Sequence, residues 1–296
     1  MEKVEFYGLT MPLVEEKTDI AKLIVSEAEK LGINIENGDV IVITSKFLQK
    51  TIGDVIDLKT VEPGFKAKMV SKIFKKDPVE TEIVLKNSKK VLLAVPTGFL
   101  REHIGKISKN VKDGLKALEK VKCILITITK CGFIATDAGV DYSNLPHGYA
   151  IANDLDFDLE AEKIRRKIKE ITGKNVAVVI SDTEFTISNG KFGSIDVAVG
   201  SSGIEPLTRL FGEKDLYGRP KFGGLDIVVD EICSAAALLM KQCGEGIPVV
   251  IIRGLKYTPS VRGVKDVLII KYRRKASKLL LKIALINIVA KILRII

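Results

Sequence analysis

Tryptophan is missing from this chain, and aromatic residues together reach only 6%. There is also no RNP-like aromatic pattern, helix-turn-helix or zinc-finger spacing, so sequence-specific nucleic-acid binding is not expected. Histidine occurs twice, at His103 and His147, too isolated for a histidine-centred triad. The four cysteines, Cys123, Cys131, Cys233 and Cys243, form no CxxC pair and have no histidine at zinc-ligand spacing. Reduced thiols in a cytoplasmic protein are therefore expected. No GxxxxGKS or GxxxxGKT motif occurs, which excludes a P-loop phosphate site. The start, Met1-Glu2-Lys3-Val4-Glu5, is charged and no apolar core follows it, so no secretory leader is expected.

What is present describes a folded protein. Its 296 residues are 46% hydrophobic and 28% charged, enough for one large or two modest domains. Lysine and arginine number 47 against 37 acidic residues, a net charge of +10. Such a surface favours acidic partners such as nucleotides, polyanionic cofactors or an anionic membrane.

Hydrophobic periodicity divides the chain into helices and strands without strict alternation. Helices are predicted at Asp19–Leu31, Phe65–Lys75, Pro78–Asn87, Leu159–Ile171 and Ile232–Met240. Apolar runs at Asp39–Thr44, Val91–Val95, Cys123–Thr129, Val176–Ile180 and Ile247–Ile252 read as buried strands. Phe133–Thr136 reads as a hairpin mate, and Ile195–Val199 alternates. Thr97–Glu119 is rich in lysine and glycine with weak periodicity and reads as an insertion. The expected class is α+β, with mixed sheets flanked by helices.

Two acidic segments carry the chemistry. Gly139-Val140-Asp141-Tyr142-Ser143-Asn144 and Ser181-Asp182-Thr183 each set a carboxylate beside a hydroxyl, and Asp182 directly follows the run Val176–Ile180. Ligands collect at the carboxyl ends of strands in open α/β sheets. Oxygen donors of this kind suit Mg²⁺ or Mn²⁺, which take few protein carboxylates and complete their shell with phosphate and water. The same aspartates also fit ordinary turns or caps. The loop Ser45–Lys50 follows a strand and gathers a hydroxyl with two amines, Lys46 and Lys50. A second loop, Gln242-Cys243-Gly244-Glu245-Gly246, has glycines that let backbone N–H groups approach a phosphate. Both loops also fit solvated charges and simple chain reversals.

Taken in order, these segments resemble the γ-glutamyl ligases that add glutamate to the deazaflavin coenzyme F420. The resemblance covers most of Val4–Gly254. It is strongest at Met11-Pro12-Leu13-Val14, Gly38–Lys50, Ala138–Asn144, Lys214-Asp215-Leu216-Tyr217-Gly218-Arg219 and Asp230–Gly254. It implies GTP-dependent amide formation, in which a terminal carboxylate is activated as an acyl phosphate and then attacked by the amine of L-glutamate. It further implies that Asp141, Asp182, Thr183 and Gln242 hold the divalent metals. By the same resemblance Met11, Pro12, Leu13, Val14, Ser45, Lys46, Lys50, Asn144, Gly244 and Gly246 form the nucleotide site. Asp141, Asp182 and Lys50 then carry the catalysis, on an acidic deazaflavin precursor, in an α+β homodimer. Residues 1–270 form the catalytic domain, with 97–119 as an insertion.

Two regions depart from that pattern. Where the family continues its aspartate–threonine pair into Asn-Gly-Arg and a further arginine, this chain runs Glu184-Phe185-Thr186-Ile187-Ser188-Asn189-Gly190-Lys191. A lysine does not reproduce the bidentate grip of arginine on carboxylate or phosphate, which points to a paralogue with another acidic acceptor. A non-catalytic nucleotide-binding homologue is a further alternative. The tail 271–296 is basic and rich in Leu and Ile. Lys271, Arg274, Lys275, Lys278 and Lys282 fall on one helical face, while Asn287, Lys291 and Arg294 fall nearly opposite. Lys282, Lys291 and Arg294 interrupt any stretch of the roughly 20 uncharged residues that a membrane span needs. Such a tail either packs on the protein or lies on a membrane surface as a peripheral helix.

Overall fold

The computed structural model describes residues 2–152, 154–186 and 193–268. The tail 271–296 and the Lys191 region therefore lie outside the described residues. In chain order the elements are β1 (Glu5–Leu9), α1 (Ile20–Lys30), β2 (Val40–Thr44), α2 (Ser45–Ile52), β3 (Ile56–Asp57), α3 (Phe65–Phe74) and α4 (Pro78–Lys86). Next come β4 (Ser88–Pro96), α5 (Ile104–Ile107), α6 (Val111–Lys120), β5 (Cys123–Thr129), β6 (Ile134–Thr136) and β7 (Tyr149–Ala150). The chain continues through α7 (Phe157–Thr172), β8 (Ala177–Thr186), β9 (Gly193–Ser202), α8 (Val228–Met240) and β10 (Val249–Arg253). The class is α+β, as expected.

The central sheet has strand order β1-β10-β2-β8-β9. Only β2 and β8 run parallel, with Val42 opposite Val179 and Thr44 opposite Ser181; the other pairs are antiparallel. One face, including Ile41, Ile43, Val178, Ile180, Val249 and Ile251, packs against α1 and α7. The other, with Val40, Val42, Val179, Val250 and Ile252, packs against α8. Burial on both faces is why β2, β8 and β10 read as unbroken apolar runs. Gly200 lets α7 lie close, because a Cβ there would come within 2.4 Å of the Phe157 backbone.

Caps fix the helix ends, and α7 opens at Phe157, two residues before the expected Leu159. Asp19 accepts from the Lys22 N–H to open α1, Asp156 accepts from Leu159 to open α7, and Gly173 closes α7 with φ of 73°. A smaller antiparallel sheet, β4-β5-β6, carries α3 and α4 over a cluster that includes Val84, Cys123, Leu125 and Ala138.

Two expectations are corrected. Ser45–Lys50 is no loop but the body of α2, because Thr44 caps it by accepting from the Phe47 N–H. Strand β8 does not stop at Ile180; β9 pairs with it as far as Thr186, so Asp182 and Thr183 lie within a strand. The segment Thr97–Glu119 is ordered into a 3₁₀ turn at Gly98–His103 followed by α5 and α6. Three short elements in succession leave no single period running through it.

Candidate active site

Sheet geometry brings the two acidic segments to the start of α2. Ser45, its first residue, donates its hydroxyl to Asp182 Oδ1 at 2.9 Å. Lys46, the next, places Nζ 2.5 Å from Asp141 Oδ2 and also donates to the Ser143 hydroxyl. One turn on, Lys50 Nζ donates to the Asn144 carbonyl at 3.3 Å. The spacing of four residues puts Lys46 and Lys50 on one helix face, above the turn they grip.

That turn is held in a conformation that side chains rarely adopt. Asp137, Ala138 and Asn144 all have positive φ, at 45°, 57° and 55°. Such a conformation persists only where the surroundings over-determine it. Here Asp137 accepts from Lys76 Nζ at 3.0 Å and from the Leu125 N–H at 2.9 Å, while the Ala138 N–H donates to the Thr127 hydroxyl at 3.1 Å. Asp141 exchanges backbone hydrogen bonds with Ile151, and Asn144 Nδ2 donates to the Cys243 carbonyl at 3.1 Å. The turn is thereby tied to the small sheet, to Ile151 and to the loop after α8.

These pieces surround one cavity of about 1470 Å³. Met11, Pro12, Leu13 and Val14 form one wall, where the Met11 N–H donates to the Gly246 carbonyl at 2.9 Å. Ser45, Lys46 and Lys50 form a second, and Asp141 with Asn144 a third. Asp182 and Thr183 line the sheet side; Gln242, Gly244 and Gly246 close the cavity from the loop after α8. Every candidate site residue read from the sequence thus faces one space.

The cavity's charges oppose one another. Burial would raise the Asp141 carboxyl, but the Lys46 ammonium and the Ser143 donors outweigh it and hold Asp141 below the usual carboxylate range. Burial lowers Lys50, and Lys46 adds to that, against an opposing pull from Glu15. Of the further acids on the lining, two on the sheet side were not among the expected site residues. Burial pushes Glu184 up to about 7, with Asp182 adding to it, although Thr136 donates both its N–H and its hydroxyl to the carboxylate. Asp196 is 5% exposed and is likewise raised by burial, against hydrogen bonds from Thr183 and Ser181. An acid alternating with apolar residues at Ile195-Asp196-Val197 was the available signal, visible only once the strand is known to be buried.

The donor set fits a hard divalent cation. Asp141, Asp182, Thr183 and Gln242 all offer oxygen, and Gln242 spends its Nε2 on the Ser194 hydroxyl at 3.2 Å. Among the described residues no three His, Cys, Asp or Glu side chains cluster closely enough to hold a metal by themselves. Mg²⁺ and Mn²⁺ are commonly held this way, through one or two carboxylates plus a substrate's phosphates.

Comparison with known proteins agrees with this geometry. Residues 8–254 match the family described as F420-0:Gamma-glutamyl ligase. The chain belongs to that family. Relatives named Coenzyme F420:L-glutamate ligase include one from Methanothermobacter thermautotrophicus, 35% identical across 87% of this chain and 92% of the relative. Another from Archaeoglobus fulgidus is 34% identical across 83% and 85%, and one from Methanocaldococcus jannaschii is 35% identical across 85% and 88%. The matched span covers every wall of the cavity. Among the described residues no helix is long and apolar enough to cross a membrane.

Proposed function

We propose that this chain is a ligase that joins L-glutamate to a coenzyme F420 precursor through a γ-glutamyl amide bond, driven by GTP and a divalent Mg²⁺ or Mn²⁺. The observation that carries this reading is the single cavity in which two carboxylates, two lysines and a glycine loop converge. Lys46 and Lys50 offer fixed positive charge to a triphosphate, and the backbone around Gly244 and Gly246 offers close approach. A carboxylate oxygen of the acceptor attacks the terminal phosphorus, a bond to GDP breaks, and an acyl phosphate forms. The glutamate amine then attacks the acyl carbon, phosphate departs, and the amine proton is lost. A bound divalent cation neutralises charge developing on the transferring phosphoryl oxygens. Asp141 and Asp182 are the side chains that would hold it, oriented by Lys46 and Ser45. The test is incubation with GTP, Mn²⁺, glutamate and the glutamate-free precursor, followed by mass spectrometry; no mass gain of one glutamate overturns the reading.

A second reading has its own observation. The Glu184 carboxylate faces the cavity where the family resemblance implies the asparagine of Asn-Gly-Arg. An added acid beside Asp182 favours a different acceptor, and parallel incubations with other acidic acceptors distinguish the two. Self-association has support in the hairpin between β9 and α8. There Leu216, Tyr217 and Phe222 are 102%, 88% and 93% exposed, more apolar surface than a monomer gains by leaving wet. A homodimer would cover them, and Phe222→Ser should shift the sedimentation coefficient towards that of a monomer. Four free thiols are consistent with a reducing, cytoplasmic setting.

A further inference from the structure

β8 and β9 pair in regular register from Val178 opposite Ser202 to Ile180 opposite Gly200, and then slip by one residue. Beyond the slip Ser181 faces Ala198, Asp182 faces Val197 and Thr183 faces Asp196. A bulge of this kind re-aims every side chain after it. Here it places the Asp196 carboxylate against the two hydroxyls that flank Asp182. Asp196 Oδ1 accepts from Thr183 Oγ1 at 2.9 Å, and Oδ2 accepts from Ser181 Oγ at 3.3 Å. Helix α8 braces the arrangement. Ser234 donates its hydroxyl to the Asp196 carbonyl at 2.8 Å, and Asp230 accepts from the Ala198 N–H at 2.9 Å. Among the described residues the Asp196 carboxylate, 5% exposed, is in no ion pair, although it lines the cavity.

We propose that Asp196 is a positioning residue that fixes Thr183 as an acceptor facing the cavity, and so as a cation ligand rather than a donor to phosphate. The inference rests on the metal-dependent reading above. A hydroxyl has one proton and two lone pairs. With the proton committed to Asp196, the Thr183 oxygen presents only lone pairs to whatever enters. A carboxylate behind it also raises its electron density, as partners behind metal ligands do, and their loss commonly costs ten- to a hundredfold in metal affinity.

The isosteric Asp196→Asn variant tests this in the metal-free protein. Its amide nitrogen can only donate, so one hydroxyl must turn and offer its proton to the cavity. Titration with Mn²⁺ in the presence of a non-hydrolysable GTP analogue, read by electron paramagnetic resonance, should show affinity weakened about ten- to a hundredfold. The melting temperature without metal should stay level or rise, because a buried charge has been removed; a merely structural Asp196 would lower it. Thr183→Val should weaken Mn²⁺ binding and Thr183→Ser should keep it. Adding Asp196→Asn to Thr183→Val should cost nothing further, since coupled residues are not additive. Asp196→Ala, which removes both acceptor oxygens, binding Mn²⁺ within about twofold of the parent, or additive losses in the double variant, overturns the proposal. Should Asp196→Asn not fold, Thr183→Val binding as tightly as the parent overturns it. A parent that binds no Mn²⁺ even with the GTP analogue present sinks the metal reading itself, and this inference with it.

Discussion

The central sheet and the Asp137–Asn144 turn each deliver one carboxylate to the cavity, by opposite means. Asp182 belongs to a strand paired on both sides, preceded by side chains that are completely buried. Asp141 belongs to a strained turn whose hydrogen bonds reach to the small sheet, to Ile151 and to the loop after α8. The sheet position is secured by the apolar packing that folds the protein. The turn position is secured by polar contacts that contribute little to folding. Disturbing the first should therefore unfold the chain, and disturbing the second should leave a folded protein with an altered site.

The largest expected effect is on turnover. Asp182→Ala should lower kcat on the order of a thousandfold, as loss of a principal charge-stabilising group does, with the melting temperature little changed. Coupled GTP hydrolysis and glutamate addition measure it, and retained turnover would reject the role given to Asp182. Next comes stability. Ile180→Ala, at a completely buried position two residues earlier, should cost about 2–5 kcal/mol in denaturant unfolding. Leu93→Ala in the small sheet, 60% exposed, should stay within about 0.5 kcal/mol. Equal losses at the two positions would show that burial in the central sheet is not what secures Asp182.

Smaller effects probe the links between the regions. Lys50→Met should weaken GTP binding about tenfold while leaving unfolding nearly unchanged, in line with the usual worth of a hydrogen bond to a charged group. Unaltered affinity in calorimetry removes Lys50 from the site. The least effect is expected from Glu162 on α7, whose carboxylate meets Arg165, Arg166 and the Ser202 hydroxyl of β9. The Arg165 hydrogen bond leads in holding it down to about 2, against burial, with Ser202 and Arg166 assisting. A depressed carboxyl contributes stability that is present above its unfolded value, 4.5, and is lost as pH falls towards 2. Glu162→Gln should therefore melt below the parent at pH 7, with the gap closing between pH 4.5 and 2. A pH-independent gap would assign the effect to packing.

Much of this was readable from the residues. Runs such as Val40–Thr44 and Val249–Arg253 announce themselves because a strand covered on both faces has no polar positions to blur it. The caps Asp19 and Gly173 mark helix ends by local hydrogen bonding and local φ. Ser45–Lys50 was misread because a helix of two turns offers little periodicity, and its capping threonine also terminates the preceding strand. The end of β8 was misplaced because Asp182, Thr183 and Glu184 are polar, and only pairing with β9 shows that they continue the strand.

Sequence by itself determined the segments, their apolar faces and the ordered motifs, since these depend on near neighbours along the chain. Tertiary structure decided that Ser45 would meet Asp182 and Lys46 would meet Asp141, across separations of 137 and 95 residues. It also decided that a one-residue slip between β8 and β9 would turn Asp196 towards Thr183. Those meetings follow from strand order and register, which arise only when the sheet closes over its two apolar faces.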